Sequence, residues 1–312
     1  MSPSDHFDGR RFFNPSGPAL QPFTAVPRLL LSRRTTWPTY IEQPLVKPPA
    51  AASDVVLTFI GHSTFLLQTP AGNLMTDPVY VDRAGPWGLF GPRRVRRPAV
   101  AFDVLPQIDV VLLSHNHYDH CDVRTLRALA RRFDPVAITP LGNARLLRKA
   151  GFRRIAELDW WQETAATSSI RVTATPAHHF SARTPFDRNR ALWSGFMVTV
   201  AGRRIYFAGD TAYVPIFRDI RERLGEPHVS LLPIGAYEPR WFMRSVHMNP
   251  EEAVQAHVEL GSWESIAMHF GTFQLTTEGI DEPHWALDRA RKARGLPESS
   301  FRALGFGETV RC

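Results

Sequence analysis

Cysteine is nearly missing from this chain: Cys121 and Cys312 are the only two in 312 residues, so no disulfide framework can hold the fold. Lysine is almost as rare, with three against 34 arginines. No stretch approaches the ~18 consecutive apolar residues of a membrane-spanning helix. The opening segment MSPSDHFDGRRFFNPSG lacks the apolar centre of a secretory signal. No sequence signature of a nucleophilic serine or cysteine is present either. Two unpaired thiols suit a reducing compartment. The expectation is a cytoplasmic protein, at most peripheral on the inner membrane surface. Hydrophobic residues at 44% and charged residues at 21% are an ordinary globular balance, which excludes wholesale disorder. Net charge is +7, carried by guanidinium groups that bind phosphate in a bidentate fashion, so an anionic partner fits. The basic residues are spread along the chain with no recognised RNA- or DNA-binding motif, so no nucleic acid is expected as a partner. A homo-oligomer is compatible with everything in the sequence.

Residues 1–53 are rich in proline and poor in periodicity, and are expected to wrap a surface in extended form, ahead of one domain over residues 54–312. Within them Arg28-Leu-Leu-Leu-Ser-Arg-Arg34 has room for one or two helical turns. From Val55 strands are expected at 55–60, 65–68 and 73–76, then at 110–114, where Val-Val-Leu-Leu-Ser is apolar throughout and so buried on both faces. Helices are expected at 123–133, capped by Asp122, and at 143–150. Further strands are expected at 136–139, 170–175, 196–200, 204–207, 229–233 and 266–269, with helices at 214–224 and 283–294. Asn249-Pro-Glu-Glu252 carries the signals of a helix start, and Gly261 ends that helix. Two strand-rich halves with helices between them suggest two sheets face to face, helices outside.

The densest chemical signal is His115-Asn-His-Tyr-Asp-His120, at the mouth of the 110–114 strand. Imidazole and carboxylate are the ligands of zinc, iron and manganese. Two histidines two residues apart at a strand end can face one ion, and Asp119 with His120 a second. Further candidates stand at other strand ends: His178 and His179, Asp210 in Phe207-Ala-Gly-Asp-Thr211, and His269. A loop over 83–97 carries Arg83, Arg93, Arg94, Arg96 and Arg97.

HxHxDH followed by a histidine, an aspartate after Gly-Asp and a late histidine resembles the metallo-β-lactamase fold. Gly9-Arg-Arg-Phe-Phe-Asn-Pro15, Thr58-Phe-Ile-Gly-His-Ser-Thr64, Glu157-Leu-Asp-Trp-Trp161 and Pro233-Ile-Gly-Ala-Tyr-Glu-Pro-Arg-Trp-Phe-Met243 narrow the likeness to the N-acyl-phosphatidylethanolamine-hydrolysing phospholipase D family, over residues 9–309. The resemblance implies an α/β fold, an αββα two-sheet sandwich. It implies two divalent metal ions, zinc first, with manganese or iron as alternatives. His115, His117 and His179 would hold one ion, Asp119, His120 and His269 the other, and Asp210 would bridge them. Asp119, Asp210 and His247 would be the catalytic residues, His247 also contacting phosphate. His62 would orient a metal ligand. Tyr118, His178, Trp193, Tyr237 and Trp241 would touch substrate, His178 standing where eukaryotic relatives carry glutamine. The implied reaction is hydrolysis of N-acyl-phosphatidylethanolamine-like lipids to N-acylethanolamine and phosphatidic acid, with a hydroxide held between the ions. A metal-dependent lactonase or a soluble cyclic phosphodiesterase on the same fold is the alternative. The expected partner is a phospholipid or another anionic phosphodiester, with peripheral membrane contact.

Overall fold

The computed structural model describes residues 3–312; Met1 and Ser2, the first residues of the expected extension, lie outside the described residues. Two seven-stranded sheets form the centre. The first holds β1 (Val56–Gly61), β2 (Thr64–Thr69), β3 (Gly72–Thr76), β4 (Val110–Leu112), β5 (Val136–Pro140) and β6 (Arg154–Leu158). The second holds β7 (Glu163–Ala165), β8 (Ile170–Thr175), β9 (Gly195–Val200), β10 (Arg203–Phe207), β11 (Val229–Pro233), β12 (Glu264–Met268) and β13 (Phe301–Arg302). The chain then returns to the first sheet, where β14 (Thr309–Arg311) pairs antiparallel with β1. Strand order is β14-β1-β2-β3-β4-β5-β6 in one sheet and β13-β12-β11-β10-β9-β8-β7 in the other. β3 to β6 run parallel, and so do β10 to β13.

The period-two alternation of a strand decides where each side chain goes. Val110 and Leu112 join Leu57, Phe59, Val172, Phe196 and Ile205 in one core, while Val111 and Leu113 join Ile60, Leu66 and Met75 in another. Both faces of β4 are therefore covered, which is why its sequence is apolar without a break. The second core is closed by α2 (Val123–Phe133) and α3 (Ala144–Ala150), through Leu126, Leu129 and Leu147. α4 (Phe217–Leu224), α6 (Pro250–Leu260) and α7 (Glu282–Ala293) cover the other sheet through Phe217, Val254 and Leu287. Two short helices, α1 (Val26–Leu30) and α5 (Arg240–Met243), lie outside these layers. The result is an αββα sandwich.

The local signals act as their chemistry dictates. Asp122 caps α2 by accepting from the Arg124 amide at 2.9 Å. Asn249 and Glu252 form a reciprocal capping box on α6, which Gly261 ends in the left-handed region at φ 62°. The helix expected from residue 214 starts instead at Phe217, after Pro215. β6, β7, β13 and β14 have no counterpart among the expected strands. The last three are two or three residues long and lie at sheet edges.

The residues before β1 are mostly irregular and are hydrogen-bonded to the body at several points along their length. The Phe12 amide donates to Asn189 O at 2.8 Å, Trp37 Nε1 to Glu278 O at 2.8 Å, and the Val46 amide to Ala99 O at 2.8 Å. Among the described residues no helix is long and apolar enough to cross a membrane.

Candidate metal centre

The parallel segments of both sheets end on one side of the sandwich, and the residues just past those ends meet there. Asp77 follows β3, His115 follows β4, His179 follows β8, Asp210 follows β10 and His269 follows β12. His62, Asp77 and His269 adopt φ of 58°, 32° and 63°. That left-handed turn stops a strand abruptly and suits aspartate and histidine better than most side chains. Loop touches loop: the His269 amide donates to His62 O, the Ser194 amide to Ser114 O, and the Met248 amide to Thr211 O, at 2.9, 3.0 and 3.0 Å. Gly209 is needed for this closeness. A Cβ there would lie 2.8 Å from Ser114 Cβ and 2.9 Å from Ser194 O.

Two groups of side chains emerge. In the first, His117 Nδ1 lies 2.9 Å from His115 Nε2 and 3.2 Å from His179 Nε2. Nitrogens that share a tetrahedral zinc at 2.0–2.1 Å stand about 3.3 Å apart, so the three nitrogens have room for one such cation between them. In the second, Asp119 Oδ2 lies 3.4 Å from both His120 Nε2 and His269 Nε2. Asp210 Oδ2 stands between the groups, 3.1 Å from His120 Nε2, 3.2 Å from His269 Nε2, 3.8 Å from His179 Nε2 and 3.9 Å from His115 Nε2. His247 Nε2 is also 3.9 Å from that oxygen. His62 Nε2 is 3.2 Å from Asp119 Oδ2, and its ring packs 4.2 Å from that of His269.

Hydrogen bonds set the tautomers that ligation needs. Asp77 is fully buried and accepts from the Ser114 amide at 2.7 Å, Ser114 Oγ at 2.5 Å and His120 Nδ1 at 2.7 Å. With its proton given to Asp77, Ser114 Oγ accepts from His115 Nδ1 at 2.9 Å. His179 Nδ1 donates to Val246 O at 2.9 Å. In each of the three rings Nδ1 is thereby committed to its partner, so that Nε2 is the nitrogen facing the cluster.

Charge follows the same plan. Burial holds His62 and His117 down to about 3 and His179 down to about 4, so these rings are neutral bases. Burial and neighbouring imidazoles push His115 well below the ordinary histidine value, and burial does the same for His247. Burial opposes charge on His120 and His269 too, but Asp210 and Asp119 outweigh it, lifting His120 well above its ordinary value and His269 to about 9. Burial would raise both carboxylates, yet His120 and its neighbours hold Asp119 and Asp210 well below the usual range. His120 Nε2, His269 Nε2 and Asp210 Oδ1 are buried without a hydrogen-bond partner. Such atoms cost roughly 1–3 kcal/mol each unless something satisfies them. Imidazoles held neutral at His115, His117 and His179, ionised carboxylates at Asp119 and Asp210, and two rings, His120 and His269, that keep a proton because those carboxylates face them form a donor set that a divalent cation would satisfy by displacing those protons.

The other expected site residues divide. Tyr118 lines a cavity of about 790 Å³ with Pro86, Trp87, Val123, Arg127 and Arg183, and its hydroxyl donates to Arg183 O at 2.9 Å. Trp241 is half-buried, with the Arg28 guanidinium 4.3 Å above its ring. Tyr237 is buried and borders a different cavity, with Glu238, Asn249 and Glu282. His178 is buried, with Nδ1 3.1 Å from Ser245 O, and belongs to none of the clusters. Trp193 is wholly buried and donates from Nε1 to Ala177 O at 3.0 Å, which makes it packing rather than a wall of the groove. Sequence reasoning missed Asp77, Phe180 and Arg240. Asp77 carried a visible signal, a carboxylate at the end of an expected strand. Phe180 packs 4.4 Å from the His117 ring. Arg240 donates to His247 O at 3.0 Å and is paired with Glu252.

Residues 73–270 match the family model described as the beta-lactamase superfamily domain. The chain is 36% identical over 268 residues to N-acyl-phosphatidylethanolamine-hydrolyzing phospholipase D 1 of Caenorhabditis elegans, covering 82% of this chain and 75% of that protein. It is 32% identical over 250 residues to the mitochondrial N-acyl-phosphatidylethanolamine-hydrolyzing phospholipase D of Saccharomyces cerevisiae, covering 78% of this chain but only 53% of the yeast protein. A metallo hydrolase of the archaeon Ignicoccus hospitalis shares the fold, with a TM-score of 0.63 at 23% identity over 83% of this chain and 98% of that one. The chain therefore belongs to the beta-lactamase superfamily, in the family of the N-acyl-phosphatidylethanolamine-hydrolysing phospholipases D, and is a metal-dependent hydrolase.

Proposed function

We propose that this protein is a dinuclear-metal phosphodiesterase of phospholipase D type, acting on N-acyl-phosphatidylethanolamine-like lipids to give N-acylethanolamine and phosphatidic acid. The observation that carries the reading is Asp210 Oδ2, within 3.1–3.9 Å of imidazoles from both groups. His115, His117 and His179 would hold one cation and Asp119, His120 and His269 the other, with Asp210 standing between the two groups. Zinc suits this donor set, and manganese or iron can occupy it. Bound there, a pair of divalent cations supplies Lewis acidity and a water that is nucleophilic at neutral pH.

The chain supplies the rest. Asp77 fixes the tautomer of His120 and, through Ser114, that of His115. His62 holds the carboxylate of Asp119. His247, whose Nε2 faces the same centre, would donate from Nε2–H to a phosphoryl oxygen, and Arg240 holds its backbone oxygen in place. The nematode and yeast relatives are named for the lipid they hydrolyse, which supports the lipid for this chain.

A surface for the bilayer lies next to Tyr118. Trp87, Leu89, Phe90 and Phe186 are 74, 64, 58 and 81% exposed, and Trp87 lines the same cavity as Arg124, Arg127 and Arg183. Exposed aromatics among arginines suit an anionic leaflet, where apolar rings enter the interface and cations meet phosphate. The test is elemental analysis of the purified protein together with hydrolysis of N-acyl-phosphatidylethanolamine vesicles, soluble cyclic and linear diesters, and lactones. Two ions per chain and preference for the vesicles are expected. One ion per chain, or a preference for the soluble panel, refutes the reading.

A further inference from the structure

The N-terminal residues make an unexpectedly specific contact with the metal centre. Bridges Ser4–Phe7 and Phe7–Phe12 fold them into a small hairpin. Its turn is closed by Asp8, whose Oδ1 accepts from the amides of Arg10 and Arg11 at 2.7 Å each. Phe7 and Phe12 are buried in a cluster with Ala177, Leu192 and Trp193. His6 stacks 4.3 Å from Trp160 and bonds to Asp159 at 2.7 Å. The hairpin is thus seated against Ala177, the residue just before His178 and His179, and against the segments around residues 159–160 and 192–193.

Asn14 is where it grips. Its Nδ2 donates to the backbone oxygen of His179 at 2.9 Å, and its Oδ1 accepts from Trp193 Nε1 at 3.2 Å. Three residues on, Gly17 at φ +92° lies flat on His178: a Cβ there would stand 2.6 Å from the His178 ring and 2.6 Å from Val214. From the other side the same turn is held by Thr211, which accepts from the His178 amide at 2.9 Å, and by the Ala212 amide, which donates to His178 O at 2.9 Å. The turn that carries His179 is therefore clamped between the Asp210 loop and the hairpin.

We infer that Asn14 is a positioning residue of the metal centre: by holding the His179 carbonyl it fixes the direction of the His179 ring, so that the N-terminal hairpin completes the three-histidine group. The inference rests on the proposed role of His179 as a metal ligand. Its effect is on affinity, because a ligand that must be ordered at the moment of binding binds more weakly than one already in place.

The test uses the full chain, stripped by chelation and titrated with zinc alone against a chromophoric competitor. Asn14→Ala is expected to weaken one of the two zinc affinities by about 10- to 100-fold, as loss of an outer partner of a metal ligand does. The second affinity and the far-ultraviolet circular dichroism should stay as in the parent. Amide hydrogen exchange at residues 178–180 of the stripped protein should accelerate, which a distant structural effect would not confine to that turn. Asn14→Asp keeps the acceptor for Trp193 but sets an oxygen against the His179 carbonyl, and should lose affinity as the alanine variant does. Should Asn14→Ala not fold, Asn14→Ser, whose hydroxyl is too short to span the gap, carries the same measurements. Parental affinity for both ions in a folded variant overturns the inference, and so does an aspartate variant that behaves like the parent. His179→Ala separates the two levels. If it loses zinc while Asn14→Ala does not, the clamp fails and the metal reading stands; if it binds both ions like the parent, the reading of His179 fails and the clamp with it.

Discussion

Replacing Asp77 by asparagine should weaken both metal sites at once. Asp77 is fully buried, and its carboxylate accepts three hydrogen bonds, from the Ser114 amide, Ser114 Oγ and His120 Nδ1. Asparagine has the same shape but can keep only the oxygen that faces the Ser114 amide. Its NH2 then confronts His120 Nδ1–H, donor against donor. The ring is relieved by moving its proton to Nε2, the nitrogen that faces Asp210. A protonated Nε2 cannot ligate, and the freed Ser114 hydroxyl no longer fixes His115. Loss of such an outer partner costs about 10- to 100-fold in metal affinity, or about 1.4–2.7 kcal/mol. Two hydrogen bonds to a charged acceptor are also lost, about 1.5–3 kcal/mol each. The lower figure, about 3 kcal/mol in all, corresponds to a fall in Tm of roughly 4–5 °C for a stripped chain of this length, at about 2.1 cal/mol/K of unfolding entropy per residue. Zinc competition and thermal unfolding read the two effects separately. Parental affinity at both sites, with only the Tm lowered, would mean that Asp77 serves the scaffold alone, and the tautomer argument would be wrong.

Other outcomes follow from the same geometry. If Asp210 serves both ions as proposed, Asp210→Asn should leave fewer than one tightly bound ion per chain and cut turnover by more than about 100-fold, since the oxygen between the groups loses its charge; two ions and normal turnover would refute that proposed role. Arg127→Ala should weaken partition onto anionic vesicles about fivefold, the ~1 kcal/mol of one cation at a membrane surface, with the difference fading as salt rises. Equal partition of parent and variant would place the bilayer elsewhere. Burial raises the pKa of Glu278, whose carboxylate accepts from the Ala236 amide at 2.6 Å and from Thr276 Oγ1 at 2.6 Å. A raised acid binds its proton more tightly in the folded state, so its contribution is most favourable below the ordinary value of 4.5 and declines as pH climbs through the raised one. Glu278→Gln mimics the protonated form, and its Tm relative to the parent should rise from pH 4 toward pH 7. A Tm difference that stays flat with pH would show that Glu278 has no raised pKa.

By itself the sequence determined the long elements and the chemistry at their ends. The run Val110–Ser114, the Asp122 cap and the Asn249–Glu252 box each carry their own local cause, a burial pattern or a hydrogen bond within four residues, and the structure realises all three. Only tertiary structure decided the edges and the meeting points. β13 and β14 are two and three residues long and exist because a neighbour offers its open hydrogen bonds, a fact no local pattern records. Asp77 looks like any strand-end aspartate until His120, 43 residues later, turns its Nδ1 toward it. Trp193 looks like an aromatic for a lipid groove, but the hairpin from the start of the chain covers it and sets Asn14 against its indole. Spacing along a chain fixes which residues can share a turn. Which turns share a point is fixed by how two sheets twist and pack, and that is where a carboxylate at 210 and an imidazole at 269 come to stand 3.2 Å apart.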